Sequence, residues 1–413
     1  MVRSDYGVDR DHPDYMPVGL QGRFDPATCA LNLKAANTRK VNAGMATAKD
    51  GSASLVILAG APGDSILVGT DGHATICKQH KAIPVLVGRM LAKILGVPYS
   101  GGFIPCRPAL SIQGSQWAIT AGALAAGNVE YSNMNAGCEM LLTPLYVSKD
   151  FDLFYSGDSP AFNYSLDGAA PVGITPTGAT DTTEKTTISV GAYGFHTLKV
   201  IALSNATKIV GADPKGPVGV RVHNLGMGGS SADWTTNSWV SGTGLTYRRS
   251  LLTHMPADPH LHLTNTGSND MFQSGSYPNN GDTVAHAIAG YETLLDDYPN
   301  SDDLLLNVHE VESGVLQTNY TKFTAYSTAK YQMVDDRDAA MIDFRWREGI
   351  PVTVPVANGI IHTDGIHYKY GASEEMAKHI VRCLYPNPAI EVQVQPDGGP
   401  VSWLDDQILL AEN

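Results

Sequence analysis

The sequence predicts an α/β protein whose parallel sheet is interrupted by an all-β insert. The stretch from Ser54 to Leu67 contains an apolar run that stops at Gly63-Asp64-Ser65, which is typical of a buried parallel strand. Residues 106–217 then show short strand-like runs between turn-rich clusters, and strands alternate with helices again from residue 218. We therefore expect four regions: 1–104, with an N-terminal extension and the first part of the α/β domain; 105–217, the insert; 218–390, the rest of that domain; and 391–413, a tail.

Composition narrows the classes of function. The chain has 413 residues, of which 43% are hydrophobic and 17% charged, as in a globular protein with more than one domain. A net charge of -13 without a Lys/Arg run argues against nucleic acid as a partner. No segment approaches the roughly 20 apolar residues of a membrane span, and the first residues lack the apolar core of a signal peptide. Five scattered cysteines without CxxC spacing predict reduced, buried thiols.

The first part of the chain predicts one strand–loop–helix unit. Residues 1–50 are polar, with a short helix around residues 30–48. The apolar run forms a strand that places Ser65 just beyond its carboxyl end. A helix over residues 85–95 follows, because Leu86, Met90 and Ile94 recur every four residues and Gly96 stops the pattern.

The central part predicts an antiparallel sandwich. Its strand-like runs cover residues 117–120, 151–155, 162–166 and 197–203, separated by Gly, Pro, Asn, Asp and Thr. The threonine-rich stretch 175–187 reads as an exposed loop.

The last part returns to strands and helices. We expect strands at residues 218–223, 260–264, 304–311 and 339–344. A helix over 283–297 should be capped by Asp282 and carry Val284, Ile288, Tyr291 and Leu295 on one stripe. A final helix from Ser373 should bury Ala377, Ile380, Val381 and Leu384.

Residues suited to acyl transfer follow these strands or precede the last helix. Ser65 offers a nucleophilic hydroxyl, His367 a base, and Asp364 a carboxylate three residues earlier that can fix the imidazole tautomer. The backbone N–H groups of Ser65 and Gly229, with the side-chain amide of Asn269, can form an oxyanion hole. We therefore expect a hydrolase that needs no cofactor and no metal.

The motifs resemble those of the SGNH branch of the GDSL hydrolases, and they occur in that family's order. Gly63-Asp64-Ser65-Ile66 is similar to the nucleophile block, and Asn224-Leu225-Gly226-Met227-Gly228-Gly229-Ser230 to the block whose last Gly supplies an oxyanion N–H. Gly267-Ser268-Asn269-Asp270 resembles the block with the Asn donor, and Asp364-Gly365-Ile366-His367 the Asp-x-x-His pair. The resemblance implies a flavodoxin-like, three-layer fold and a serine esterase.

One departure from the family concerns spacing. The segment between Ser65 and Gly229 is far longer than the few tens of residues usual between the first two blocks. The β-rich stretch accounts for the excess and is similar to the sandwich modules inserted at this place in some peptidoglycan and polysaccharide O-acetylesterases, which resemble carbohydrate-binding modules. This resemblance implies an acyl ester on a glycan as substrate.

Several residues have a simpler structural reading. We expect Asp64 to stabilise its turn by side-chain to backbone hydrogen bonds, and Asp270 to orient the loop that carries Asn269, rather than to take part in catalysis. Trp234 and Tyr368 are weak candidates for substrate binding, and at least one of Trp234 and Trp239 fits a core role. His254, His260 and His262 lack the spacing that completes a metal site. His362, the rival base, has no Asp three residues before it.

Two other functions remain open at this stage. The same acyl-enzyme could pass its acyl group to a sugar hydroxyl, which would make the chain an O-acyltransferase. Alternatively, the chain could be a bacteriophage virion or tail protein whose main task is glycan binding; such a protein acts on cell-envelope polysaccharide without a signal peptide. The sequence is compatible with a homo-oligomer or a virion assembly. A phage-encoded chain is expected in the virion or outside the cell; otherwise we expect a cytoplasmic protein or a secreted enzyme lacking its leader.

Overall fold

The computed structural model describes residues 30–63, 67, 82–106, 116–124, 132–226, 249–265, 283–307, 320–344 and 370–385. In this part of the chain the helices are α1 Arg39–Asp50, α2 Ile83–Leu95, α3 Val284–Asp296, α4 Tyr320–Asp336 and α5 Tyr370–Leu384. The strands are β1 Ala30–Leu31, β2 Leu55–Gly63, β3 Ile104–Pro105, β4 Trp117–Ala121, β5 Ser132–Met134, β6 Glu139–Leu142, β7 Ser148–Ser156, β8 Phe162–Leu166, β9 Val172–Ile174, β10 Thr183–Gly194, β11 Leu198–Ala202, β12 Thr207–Lys215, β13 Val220–Asn224, β14 Leu261–Asn265, β15 Asp302–Asn307 and β16 Ala340–Asp343.

One sheet has the order β1-β16-β15-β14-β2-β13. All of its strand pairs are parallel except β1 with β16, which is antiparallel. Numbered along the chain, the parallel strands run 2-1-3-4-5, which is the flavodoxin-like doubly wound order. The strand order therefore reverses between β2 and β14.

Helices cover both faces of this sheet, as the alternation of side chains along each strand requires. On β15, Leu304 and Leu306 pack in a core with α1, α2 and α5, whereas Leu305 packs with α3 and α4. Asp302 at the start of the same strand accepts a 2.8 Å hydrogen bond from the backbone N–H of Val41, in the first turn of α1. A buried carboxylate thus caps this helix at its positive end.

Strands β3 to β12 form two antiparallel sheets. One has the order β10-β7-β12-β3 with β5 also on β12, and the other has the order β4-β6-β11-β8-β9. A single apolar cluster contains side chains of both sheets, including Phe151 and Ile209 from the first and Trp117, Phe162 and Val200 from the second. The two sheets therefore face each other across a shared core.

The antiparallel sheets also pack directly on the parallel sheet. Phe154 of β7 and Phe103 lie edge to face, with ring centroids 5.3 Å apart, in a cluster that includes Leu58 of β2 and Leu225 after β13. Beside this cluster, a terminal guanidinium nitrogen of Arg221 donates to both oxygens of Asp213, at 2.6 and 2.7 Å. Apolar contacts and this ion pair thus help to join the two regions.

Most of the predicted elements are confirmed within one to four residues. The runs at 117–120, 151–155, 162–166 and 197–203 correspond to β4, β7, β8 and β11, and the five predicted α/β strands to β2, β13, β14, β15 and β16. The predicted helices at 85–95 and from 373 are α2 and α5, and α5 buries the four expected side chains. Three cysteines, Cys106, Cys138 and Cys383, are buried reduced thiols, as predicted.

Three local predictions are wrong. Residues 30–31 form a strand on β16 rather than the start of a helix, and α1 begins only at Arg39. Thr283, not Asp282, caps α3, because its hydroxyl accepts the backbone N–H of His286 at 3.1 Å. Residues 183–187 are not loop but the first half of β10, where β-branched threonines pair with β7.

The boundaries of the four regions stay a prediction, and the tail 391–413 lies outside the described residues. None of the helices in the described ranges is long and apolar enough to span a bilayer.

Candidate active site

The carboxyl edge of the parallel sheet, between β2 and β14, is the candidate site. In open α/β sheets, ligands bind in the crevice where the strand order reverses, outside the carboxyl ends of the strands. Here β2 ends at Gly63, β13 at Asn224 and β14 at Asn265. All three parallel strands end at the same edge of the sheet.

Strand β2 leaves regular geometry just before this edge. Its register with β14 shifts, since Ala59 pairs with Leu263 but Gly63 pairs with Asn265, so that β2 contains extra residues. Gly60 lies in this bulge with φ of +80°, and a Cβ there would lie 2.3 Å from the backbone nitrogen of Gly226. Such bulges occur next to active sites, where they redirect the chain, and this one brings the end of β2 against the segment after β13.

Asn224, the last residue of β13, holds together the segments that follow the two strands. Its side-chain Nδ2 donates to the carbonyl of Leu67 at 2.9 Å, and its Oδ1 accepts the backbone N–H of Gly226 at 3.1 Å. The backbone N–H of Leu225 donates to the carbonyl of Ala59 at 2.7 Å. Asn224 is 2% exposed, so water does not compete for these bonds.

Polar side chains also line the carboxyl ends of the next strands. The hydroxyl groups of Thr264 and Tyr291 lie 2.6 Å apart, and the Lys330 ammonium donates to the carbonyl of Leu306 at 2.9 Å. At the end of β16, Asp343 accepts hydrogen bonds from Asn307 and Tyr331. These buried groups fix the sheet edge beside the crevice.

The structure does not test the residues predicted to carry the chemistry. Ser65, Asp364, His367, Gly229 and Asn269 all lie outside the described residues, as do the candidate substrate-binding residues Trp234 and Tyr368. Trp239 and His362 lie outside them too. Along the chain, Ser65 comes two residues after β2, Gly229 five after β13, and Asn269 four after β14. His367 comes three residues before α5.

The three clustered histidines have structural roles. His262 is fully buried, with Nε2 donating to the carbonyl of Ala61 at 2.7 Å and Nδ1 lying 3.1 Å from Asp303. Nδ1 of His260 accepts the backbone N–H of Val56 at 3.1 Å, and Nε2 of His254 donates to the carbonyl of Thr183 at 2.9 Å. These contacts hold β2, β14 and β15 in register and tie residue 254 to β10.

Sequence reasoning missed the roles of Gly60 and Asn224. Asn224 is part of the second motif, but the sequence alone does not say where its side chain points. An Asn that ends an apolar strand and is followed by Gly two residues later is a usable signal, because such an amide can accept that N–H. Gly60 inside a strand pattern likewise indicates a bulge or a close backbone approach.

Comparison with known proteins gives a likeness of fold. No family model matches the chain, and no curated protein matches it. A solved peptidoglycan O-acetylesterase aligns at a TM-score of 0.58 with 15% identity, over 86% of this chain and 97% of that chain. A family two carbohydrate esterase from Clostridium thermocellum, solved with cellohexaose, aligns at 0.28 with 12% identity, over 64% and 97% of the two chains. A lipase/acylhydrolase from Enterococcus faecalis aligns at 0.30 with 20% identity, over 40% and 75%. The chain is thus similar in fold, over most of its length, to a peptidoglycan O-acetylesterase.

Proposed function

We propose that the chain is a serine esterase that hydrolyses acyl esters, O-acetyl esters foremost, on a carbohydrate. The main observation that supports this proposal is the 2-1-3-4-5 strand order, in which β2, β14 and β13 end together at the crevice. Three of the four SGNH-like motifs begin at or just beyond those strand ends, and the fourth directly precedes α5. The motifs and the topology therefore both support an active site at this edge of the sheet.

The proposed mechanism uses residues from these four motifs. His367, oriented by Asp364, takes the proton of Ser65, and the serine oxygen attacks the ester carbonyl carbon. The N–H groups of Ser65 and Gly229 and the Asn269 amide stabilise the tetrahedral oxyanion. His367 then protonates the leaving sugar oxygen, the C–O bond breaks, and an acyl-enzyme remains. Water, deprotonated by His367, attacks this ester and releases the free acid and Ser65.

The carbohydrate part of the proposal has two supports. The likeness in fold to a peptidoglycan O-acetylesterase extends over 86% of the chain. The parallel-sheet region is too short to account for this share, so the likeness includes residues of the antiparallel sheets. The two facing antiparallel sheets fit an inserted sandwich module of the carbohydrate-binding kind. We propose that this module presents the glycan to the crevice.

Acetate release from O-acetylated cell-envelope glycans tests the proposal. The unmodified chain should release acetate, whereas the Ser65→Ala variant should not. Ser52→Ala is the matched control, because it removes an exposed hydroxyl just before the amino end of the same strand and should leave activity unchanged. Full activity of Ser65→Ala would refute the proposal. Transfer of acetyl to added glycan, in place of acetate release, would favour the O-acyltransferase.

The oxyanion hole gives a second, graded test. Loss of one donor costs about 10²–10³-fold in kcat in enzymes of this kind, so we expect Asn269→Ala to lose that much activity. The thermal midpoint should change little, since the proposed role is chemical. Equal kcat in the variant and the unmodified chain would remove Asn269 from the mechanism.

A further inference from the structure

We propose that Asn224 is a positioning residue that holds the nucleophile segment and the oxyanion segment in one fixed relation. This inference rests on the proposed function, in which Ser65 and Gly229 act on the same carbonyl group. It adds a residue that makes no contact with the reacting atoms in the proposed mechanism.

The hydrogen bonds of Asn224 reach both segments. Leu67, whose carbonyl accepts from Nδ2, comes two residues after Ser65 in the chain. Gly226, whose N–H donates to Oδ1, comes three residues before Gly229. One planar amide therefore bridges two backbone segments that are 157 residues apart at Leu67 and Asn224.

Only an amide of this length satisfies both partners. A carbonyl oxygen needs a donor and a backbone N–H needs an acceptor, and Asn presents one of each on a short side chain. An aspartate would keep the acceptor but set an anion against the Leu67 carbonyl, and alanine would leave both backbone groups unpaired in a buried place. Loss of a partner in such a place costs more than the bond itself contributes.

The backbone around Asn224 leaves little freedom for adjustment. Gly60 in β2 approaches Gly226 so closely that no Cβ fits between them. Leu225 is also anchored to Ala59 of β2 by its backbone N–H. Gly226 is therefore held against β2, and the Asn224 amide links it to Leu67 in the segment after β2.

The catalytic consequence follows from the geometry that an oxyanion hole requires. Donors must lie about 2.7–3.1 Å from the position that the oxyanion will occupy. A misplacement of about 1 Å can cost about 10²-fold in rate. We therefore expect Asn224→Ala to lower kcat by about 10²-fold while KM changes little, because substrate binding elsewhere on the glycan is untouched.

The experiment compares Asn224→Ala, Asn224→Asp and the control Asn37→Ala in the full-length chain, each assayed below its melting temperature. Asn37 also bridges two backbone segments, since its Nδ2 donates to the carbonyls of Asn32 and Asp338, but Asp338 lies just before the amino end of β16, away from the carboxyl edge of β2 and β13. Its loss should lower the thermal midpoint without changing kcat. For Asn224→Ala, the rate of labelling by a fluorophosphonate, a reagent for activated serines, should fall in parallel with kcat.

A pH profile separates positioning from general destabilisation. When the carboxyl group in Asn224→Asp is protonated, it can again donate to the Leu67 carbonyl, so the ratio of its kcat to that of the unmodified chain should rise as the pH falls. This variant also carries the test if Asn224→Ala does not fold. Unchanged kcat in folded Asn224→Ala, or a pH-independent ratio for Asn224→Asp, would overturn the inference. Activity in Ser65→Ala would instead refute the proposed function itself.

Discussion

Two glycines with nearly the same positive φ have different surroundings. Gly51, which ends α1, has φ of +78° and nothing within 4 Å of the position that a Cβ would take. Gly60 has φ of +80°, and the backbone of Gly226 fills that position. Comparison of the two separates the cost of a left-handed backbone from the cost of a steric clash.

We expect Gly60→Ala to destabilise the fold much more than Gly51→Ala. A left-handed backbone costs a non-glycine residue on the order of 1–3 kcal/mol, and both variants incur this. Gly60→Ala must in addition displace Gly226 and the segment after β13, so its kcat should fall as well. Urea unfolding and ester hydrolysis measure the two effects, and equal losses in both variants would contradict the close approach seen here.

His223 is a second residue whose surroundings determine its behaviour. It is 3% exposed, and neither ring nitrogen has a hydrogen-bond partner among the described residues. Burial lowers the pKa of His223 from 6.5 to about 4; Asp213 and Asp152 oppose this shift, and Arg221 and Lys215 add to it. The imidazole is therefore neutral in the folded protein at neutral pH.

The lowered pKa of His223 predicts that the free energy of unfolding decreases as the pH falls below 6.5. Above pH 6.5 the ring is neutral in the folded and unfolded chains, so it has no effect on their balance. Between pH 6.5 and about 4 the unfolded chain binds a proton that the folded chain does not, so stability falls as the pH falls, by roughly 3 kcal/mol in all.

Urea unfolding across pH 4–7 measures the effect. Asp152 also contributes acid sensitivity: burial raises its pKa, but hydrogen bonds from Lys215, Thr187 and Lys185 outweigh burial and lower it overall. The His223→Gln variant isolates the imidazole, because it leaves Asp152 in place. A pH slope between 6.5 and 4 as steep in His223→Gln as in the unmodified chain would assign the sensitivity to other groups.

At the scale of elements, α3 shows how one side chain determines where a helix starts. Thr283 has extended backbone angles, and its hydroxyl accepts from His286. The helix then buries Tyr291, Leu294 and Leu295 between the sheet and neighbouring side chains. A stable start of α3 therefore helps to keep these side chains packed on the sheet.

We expect Thr283→Ala to lower the free energy of unfolding by about 1 kcal/mol, which is typical for loss of an N-cap hydroxyl. Thr293→Ala is the matched control, because Thr293 is an exposed threonine in the same helix whose hydroxyl donates to the carbonyl of Ala289. Alanine favours helix interiors, so the control should be neutral or slightly stabilising. Chemical denaturation of both variants measures the difference, and a loss in Thr293→Ala equal to that in Thr283→Ala would count against the cap.

Helices with an unbroken apolar stripe could be predicted from the sequence, and helix α4, whose inner face carries buried polar side chains, could not. Strand β2 and helices α2 and α5 follow directly from their period and stop signals. Helix α4 was not predicted, because its inner face includes Ser327 and Lys330, which interrupt the apolar stripe although both are buried. Lys330 is accommodated there by the Leu306 carbonyl and by the rings of Tyr291 and Tyr326, at 5.7 and 5.5 Å.

The same distinction applies to the candidate site. The motifs around Ser65, Gly229, Asn269 and His367 could be read from the sequence because each is local. The place where these motifs are expected to meet depends on the strand order. That order cannot be read from the sequence and is known only from the structure of the sheet. The local bond from Asn224 to Gly226 has a sequence signal, but its bond to Leu67 could not be predicted, because Leu67 is 157 residues away and no local pattern relates the two.

In the molecule as a whole, the antiparallel sheets and the parallel sheet are packed together, because side chains from both contribute to one buried apolar cluster. Phe154 projects from β7 away from the antiparallel core, into a cluster with Leu58 and Ala61 of β2 and with Leu225. Ala61 precedes Ser65 by four residues. The geometry of the crevice therefore depends on the packing of strands that contribute none of the proposed catalytic residues.

Two phenylalanines of β7 and β8 test this coupling. Phe154 and Phe162 are both at most 1% exposed, but among the described residues Phe162 packs in the core shared by the antiparallel sheets and not in the cluster on β2. Truncation of either to alanine should cost about 3–5 kcal/mol. In Phe154→Ala, hydrogen exchange should accelerate in β2 and β13 as well as in β7, and esterase kcat should fall. In Phe162→Ala, the faster exchange should stay within β4 to β12, because the cluster on β2 is intact. If the two variants gave the same exchange pattern, the sheets would unfold as one unit and Phe154 would have no special part in coupling them.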